Sequence, residues 1–479
     1  MKKAFSLLFC LSILFNVSTV IASANSAQSH WNGVYSTGAV VTDENCPVVV
    51  EKELLTFDIS EFPANYYHSL DEYMAYSAKV TAEYTFYNPA DYTVTATLVF
   101  PFGNLPDYVY EYYDEGLNGY VQADDTAKYN ITINGAPTEK TIRHTLFDRY
   151  DQFNADEDIP MLCEGYVLDS FFNLDMPITK YQYEISDIDA GKYPSARVAI
   201  DIEEFDGKTK VLFPEAHGMH TQKDGDYRLA ASVDNGDIIT LYVFGYQSYT
   251  IPEWKFYKDG GVEDKEEING TATLVPKGTK TMAFKDFALQ EYKANSGIIE
   301  SDWYNAMVAY LNRYQGKGGY INTEGGSFDI SKSLMRWYEY KITLAPRERI
   351  TNTVQAPIYP DIDLKYNPSI FKYQYLLSPA KSWASFGSLE IIVNTPYYIT
   401  ESNIEGFTKT DTGYSVNLNG LPDGEFEFTM STVENPIQPK TVPKIFMQIE
   451  TIIFIVIVVL ILVGAITAFV IIRKKKKKD

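Results

Sequence analysis

At 479 residues, with 63 acidic against 41 basic side chains and a net charge of -22, the chain is too long for a single small domain. At about 100–200 residues per domain, two or three are expected, and so acidic a field repels nucleic acid and anionic headgroups while attracting cations or basic partners. Three cysteines, with no Cys-x-x-Cys pair and no Cys/His cluster, exclude a disulfide scaffold and argue against structural zinc, leaving apolar burial to hold the fold.

The chain opens with Lys2 and Lys3, an apolar run over 4–21, and the small-x-small triplet Ala22-Ser23-Ala24. This is the pattern of a secretory signal peptide over 1–24; the alternative is an uncleaved N-terminal anchor. Cleavage removes Cys10 and leaves Cys46 and Cys163. In an oxidising exterior these two can pair in a disulfide or remain two separate buried thiols. The exported part, 25–450, carries 33 basic and 62 acidic residues, a net charge of about −29.

Residues 25–250 read as an N-terminal β-sandwich-type domain. Val80, Ala82, Tyr84 and Phe86 alternate with Lys79, Thr81, Glu83 and Thr85. After Asn88-Pro-Ala-Asp91, a second alternation runs through Tyr92, Val94, Ala96, Leu98 and Phe100. Period-two patterning with a Pro-containing turn predicts a hairpin. The same grammar predicts hairpins across Asp206-Gly207 and across Asp234-Asn235-Gly236-Asp237. Tyrosine, 38 residues against 27 Phe and 5 Trp, suits half-exposed strands and recognition surfaces alike. Tyr108, Tyr110, Tyr112 and Tyr113, flanked by acids and by Gly116 and Gly119, mark a loop and are the candidate binding surface.

Residues 251–330 read as a connecting region with one amphipathic helix at about 298–314. Ile299, Trp303, Met307, Tyr310 and Leu311 fall at helical spacing, Ser301 and Asp302 suit the N-terminal cap, and Gly316 follows the end. The Gly-rich stretch after it lacks any phosphate-loop pattern. A second β domain is expected over 331–437, with strands at 334–344, 349–354, 371–377, 389–394, 414–418 and 425–430. Short strands with turn signals at this spacing indicate sandwiches or barrels rather than α/β layers.

A juxtamembrane linker over 438–450 leads into 451–472, an unbroken run of 22 uncharged, mostly apolar residues, followed by Arg473 and five lysines. About 20 helical residues cross a hydrocarbon core of roughly 30 Å, and the cationic tail over 473–479 stays cytoplasmic. The fold class expected is therefore mainly β: two β-sandwich-type units with one amphipathic helix between them, and a single C-terminal transmembrane helix. The chain is expected in the cell membrane with its N-terminal part extracytoplasmic.

Sites are sparser. His217 and His220 sit three apart, but Pro214 and Gly218 suggest a turn and no Glu stands between them as in HExxH. Calcium, which takes carboxylate and carbonyl oxygens, has weak candidates in Asp187 with Asp189, Asp234 with Asp237, and Asp361 with Asp363; none completes an EF-hand. There is no GxSxG, HExxH or cysteine-protease signature. Paired carboxylates for glycoside hydrolysis can be far apart in sequence, and no two of the 62 stand out.

Tyr84-Thr-Phe-Tyr-Asn-Pro89 leading to Phe100-Pro101 resembles the opening hairpin of bacterial surface β-sandwich families, including VIT-like domains and an extracytoplasmic domain family of unassigned role. Tyr375-Leu-Leu-Ser-Pro-Ala-Lys-Ser-Trp383, followed by Leu389-Glu-Ile-Ile392, is similar to a later segment of the latter. The resemblance implies a membrane-anchored sandwich ectodomain and supplies no catalytic residue. Gln438-Pro-Lys-Thr-Val442 resembles a sortase signal, with Gln in place of Leu and Val in place of Gly; a permanent anchor is the expectation. The function expected is recognition, adhesion or service as an accessory subunit, with a neighbouring membrane protein or a wall or surface polymer as partner. The alternative is an anchored hydrolase acting on glycan through dispersed carboxylates.

Overall fold

The computed structural model describes residues 36–438 apart from 38, 42–45, 66, 68, 102–111, 115–118, 122–125, 147–158, 195, 203–207, 222–226, 246–249, 259–266, 269–271, 316–318 and 322–327. The expected signal peptide, membrane span and cationic tail, with nearly all of the linker, lie outside the described residues. Among those described, no helix is long and apolar enough to cross a membrane.

The architecture is mainly β, in several sheets. One eight-stranded sheet forms the spine of an outer body, in the order Thr408–Lys409, Gly413–Asn419, Phe386–Asn394, Val49–Asp58, Lys79–Tyr87, Arg349–Pro357, Asn130–Ile133, Ala136–Pro137. Two smaller sheets pack on it through one shared core. The first holds Ile370–Leu376, Phe426–Ser431 and Tyr398–Ser402, with Ser36–Thr37 and Asp361–Asp363 at its Ile370 side; the second holds Thr141–Leu146, Leu334–Leu344, Val94–Pro101 and Val40–Val41. Phe57 of the spine meets Tyr375, Phe426 and Phe428 of the first small sheet edge-on at 5.2–5.9 Å, the spacing that aromatic quadrupoles favour.

Residues 159–330 form an insert between Thr141–Leu146 and Leu334–Leu344. These two strands are antiparallel neighbours, with Leu146 opposite Leu334, so the chain leaves and re-enters the outer body at one seam. The insert is three-layered. Its five-stranded sheet buries Val211, Ile239, Leu241 and Val243 against a four-stranded sheet, and the alternate residues Leu212, Tyr242 and Phe244 against helices Phe284–Ala288 and Glu300–Arg313. Strand alternation thus assigns each residue to one of two cores.

The divisions expected at 250 and 331 do not follow the sheets. Leu334–Leu344 pairs with Val94–Pro101, Arg349–Pro357 pairs with Lys79–Tyr87, and Phe386–Asn394 lies parallel to Val49–Asp58, so strands assigned to two separate units share one body. Most of the insert's strands fall within 25–250, the span expected to be the N-terminal unit. Alternation states that a strand has one buried face; it does not state which strand lies beside it.

The three expected hairpins are arches. Lys79–Tyr87 belongs to the spine and Val94–Pro101 to a facing sheet; Arg197–Ile202 and Lys210–Leu212 lie in different sheets, as do Tyr227–Ser232 and Ile238–Phe244. The strands of each pair face one another across a core instead of lying side by side. Asn88 explains the first corner. Fully buried, it donates through Nδ2 to the carbonyls of Tyr92 (2.8 Å), Leu344 (3.2 Å) and Ala345 (3.0 Å) and accepts from the Ala90 N–H (2.9 Å). It thereby ties this arch to a second one, between Leu334–Leu344 and Arg349–Pro357, stacked against it. A tight hairpin does form at Asn134-Gly135, both at positive φ (49° and 79°), between Asn130–Ile133 and Ala136–Pro137. An Asn-Gly pair is the strongest short-range hairpin signal.

Candidate functional site

Two buried polar clusters interrupt the apolar cores. The first is at the seam. Helix Glu300–Arg313 begins one residue before Ser301, and its N-cap residue, Ile299, provides no side-chain cap, so Ser301 and Asp302 are not the capping residues expected. Asp302 is turned inward and fully buried. It accepts Nε of Arg143 at 3.1 Å on each oxygen, Nη2 at 2.9 Å, and the His144 backbone N–H at 2.8 Å. Arg143 Nη1 reaches Glu339 at 2.6 Å, and Nη2 also bonds the Cys163 carbonyl at 3.0 Å. One guanidinium thus binds the outer-body strand Leu334–Leu344 and the insert helix together. Burial pulls Arg143 down, and Asp302 and Glu339 more than reverse this, holding it above its ordinary range.

His144 sits in the same seam, opposite Arg336, with Nδ1 buried and lacking a hydrogen-bond partner. Burial pushes its imidazole down to about 4, helped by Arg336 and Arg143 and opposed by Asp302. Asn305, one turn along the helix from Asp302, accepts the Val167 N–H (2.7 Å) and donates to the Gly165 carbonyl (3.1 Å), fixing the loop that approaches the helix.

The second cluster lies inside the outer body. Glu53, Tyr84 and Asn352 are cross-strand neighbours on three adjacent spine strands, all buried. Asn352 accepts Tyr340 Oη (2.9 Å) and donates to the Thr132 carbonyl (3.0 Å). Glu53 is less well served: Tyr375 Oη, from the facing sheet, is 3.5 Å from Oε1, and Oε2 has no partner. Burial pushes this carboxyl up to about 7 against the pull of Tyr84 and Tyr375.

The residues singled out in the sequence are elsewhere. Tyr108 and Tyr110 lie outside the described residues; Tyr112 and Tyr113 are in the short strand Tyr112–Asp114, paired with Gly119–Val121. Cys46 and Cys163 are not joined by a disulfide: Cys46 packs at the outer-body core, whereas the Cys163 sulfur lies 3.6 Å from Asn305 Nδ2 of the insert helix. His217 and His220 do not form a turn, because Gly218–Thr221 is a strand against Tyr227–Ser232.

The acidic pairs serve local turns. Asp187 accepts Ser186 Oγ (3.0 Å), Asp189 accepts the Lys192 N–H (3.3 Å), Asp237 accepts the Asp234 N–H (2.7 Å), and Asp363 accepts the Lys365 N–H (2.8 Å), while Asp361 is opposite Lys372 in the sheet. The first two pairs are neighbours in space, since Asn235 exchanges hydrogen bonds with both backbone groups of Ile188 (2.8 and 2.7 Å). Among the described residues no three His, Cys, Asp or Glu side chains form a group able to hold a metal ion. Arg143, Asp302 and Glu53 carried no local signature. The one available signal was a polar residue on an apolar face: Asp302 among the helix's buried positions and Glu53 at an inward position of a strand.

Neither a family model nor a curated protein matches the chain. Among solved structures it is similar to a "putative nutrient binding protein" from Legionella pneumophila, at 10% identity and a TM-score of 0.33, over 84% of this chain and 72% of that one.

Proposed function

We propose that the chain is a single-pass surface protein of the cell membrane, with a β-rich extracytoplasmic part that acts as a recognition or membrane-complex accessory module. The observation that carries this reading is the end of the sequence: 22 uncharged residues over 451–472, then six cations, behind a large acidic β-rich region. The first described strand is tied to one small sheet of the outer body and the last described residues to the loop between two of that sheet's strands. Ser36–Thr37 pairs with Tyr375 and Leu376, and Ile437 exchanges backbone hydrogen bonds with Asn367 (2.9 and 3.2 Å). The stem toward the membrane therefore leaves from the outer body, and the insert, held at one seam, is the unit attached to neither end. Glu53, whose proton affinity is the most displaced among the described acids, is 1% exposed and so is not open to a glycan.

The test is crosslinking of the tagged full-length protein in its own cells, followed by capture and mass spectrometry. A specific multi-span membrane protein or a defined surface polymer is expected. Release of soluble products from wall or surface glycan by the purified full-length protein, with no captured partner, would overturn the reading.

A further inference from the structure

Glu53 is used by nothing in the recognition reading, yet it occupies the centre of the spine. Its strand neighbours are Leu389 on one side and Tyr84 on the other, and Tyr375 comes down on it from the facing sheet. Phe57, two turns of the pleat further along the same face, is covered by Tyr375, Phe426 and Phe428 of that sheet. A charged carboxylate here has the hydroxyls of Tyr84 and, at 3.5 Å, Tyr375, and an oxygen with no partner. Desolvating such an ion costs more than those two hydroxyls return, so the neutral acid is the form this packing accepts.

We propose that Glu53 is a proton-operated switch of the outer body: it holds a proton while the Ile370–Leu376 and Phe426–Ser431 strands lie over it, and losing that proton loosens this sheet from the spine. The titratable groups against Glu53 are Tyr84, from its own sheet, and Tyr375, from the facing one, and burial holds both hydroxyls well above their ordinary range, so neither supplies a charge. Among the described residues no cation pairs with it; the adjacent Lys52 bonds Glu390 at 2.7 Å as a partly exposed pair on the other face. The sheet over Glu53 also holds the first described strand, and the last described residues bond the loop that leads into it. Proton loss would therefore act on the part of the body from which the stem departs, whatever the protein recognises.

The sign is fixed by the direction of the shift. A carboxyl raised from 4.5 to about 7 in the folded state contributes stability that is complete below about pH 4.5 and lost as pH rises through about 7. In a His144→Gln background, which removes the opposite limb of that imidazole, full-length protein in detergent, unfolded by denaturant across this window, should show its unfolding constant rise on the order of a hundredfold with pH. Glu53→Gln keeps the shape and has no proton to lose, so this limb should vanish; the same limb in the variant overturns the proposal. Should the variant not fold, the wild type still decides it. Hydrogen-exchange protection at residues 373–376, corrected for the intrinsic pH dependence of exchange, should fall across the same window, and constant protection overturns the switch. Tyr375→Phe removes a bond to the charged form and should move the limb to higher pH, which a merely structural role for the hydroxyl would not do.

Discussion

Glu53 and Asp302 are both acids at the bottom of a packed interface, and the fold treats them in opposite ways. Asp302 meets a guanidinium at two of its nitrogens and a backbone N–H, so the charge is matched by donors. Glu53 meets the neutral hydroxyls of Tyr84 and, at 3.5 Å, Tyr375, with one oxygen unpartnered, and burial raises its proton affinity instead. The difference shows that burial alone does not decide how a carboxyl behaves; the donors delivered by other chain segments do. It also separates the roles of the two regions. The seam is held by a charge pair across two bodies, whereas the outer body's sheets are held by aromatic packing over a group that must stay neutral.

The sharpest way to break the comparison is Asp302→Leu, which strands Arg143 in the seam without its carboxylate. It should cost about 3–5 kcal/mol in denaturant unfolding, and Arg143→Met in the same chain should restore part of the loss, because it removes the stranded cation while the His144 N–H, Glu339 and the Cys163 carbonyl lose their partners. A double variant no better than the single one would show that the seam depends on something other than the pair.

His144 sharpens the comparison through pH, with the sign opposite to that of Glu53. An imidazole lowered from 6.5 to about 4 contributes stability that is present above about pH 6.5 and lost as pH falls through about 4. In a Glu53→Gln background, where the opposite carboxyl limb is absent, an acid limb on the order of 2–3 kcal/mol is expected across that range, and His144→Gln should flatten it. The limbs of His144 and Glu53 together place greatest stability at mildly acidic pH. Asn88→Ala comes next: it orphans the carbonyls of Leu344 and Ala345 at the stacked arches and should cost about 1–3 kcal/mol. The smallest effect is expected at Arg349, whose two-pronged bond to Glu51 is on the surface. Arg349→Ala should leave the midpoint unchanged within measurement, since solvent screens exposed pairs.

Much of the secondary structure was legible. The strand expected at 334–344 is Leu334–Leu344, that at 414–418 lies within Gly413–Asn419, and the helix expected at 298–314 is Glu300–Arg313. Trp303, Met307, Tyr310 and Leu311 are buried as their spacing requires. The candidate site was not legible. Asp302 in the first turn of an amphipathic helix has every local feature of a cap, and only Arg143, 159 residues away, turns it into a buried counter-ion. Glu53 reads as one polar residue in a strand until Tyr375, 322 residues on, closes over it.

The sequence by itself determined that the described part is β-rich with one long helix, which positions of each element face inward, and where turns interrupt them, because side-chain direction along a strand or helix repeats with a fixed local period. Tertiary structure alone decided that the turns after Tyr87, Ile202 and Ser232 are arches, that residues 159–330 are an insert, and which buried acid meets a cation. Those outcomes depend on partners far along the chain, and a local period carries no information about which distant strand supplies the other half of a core.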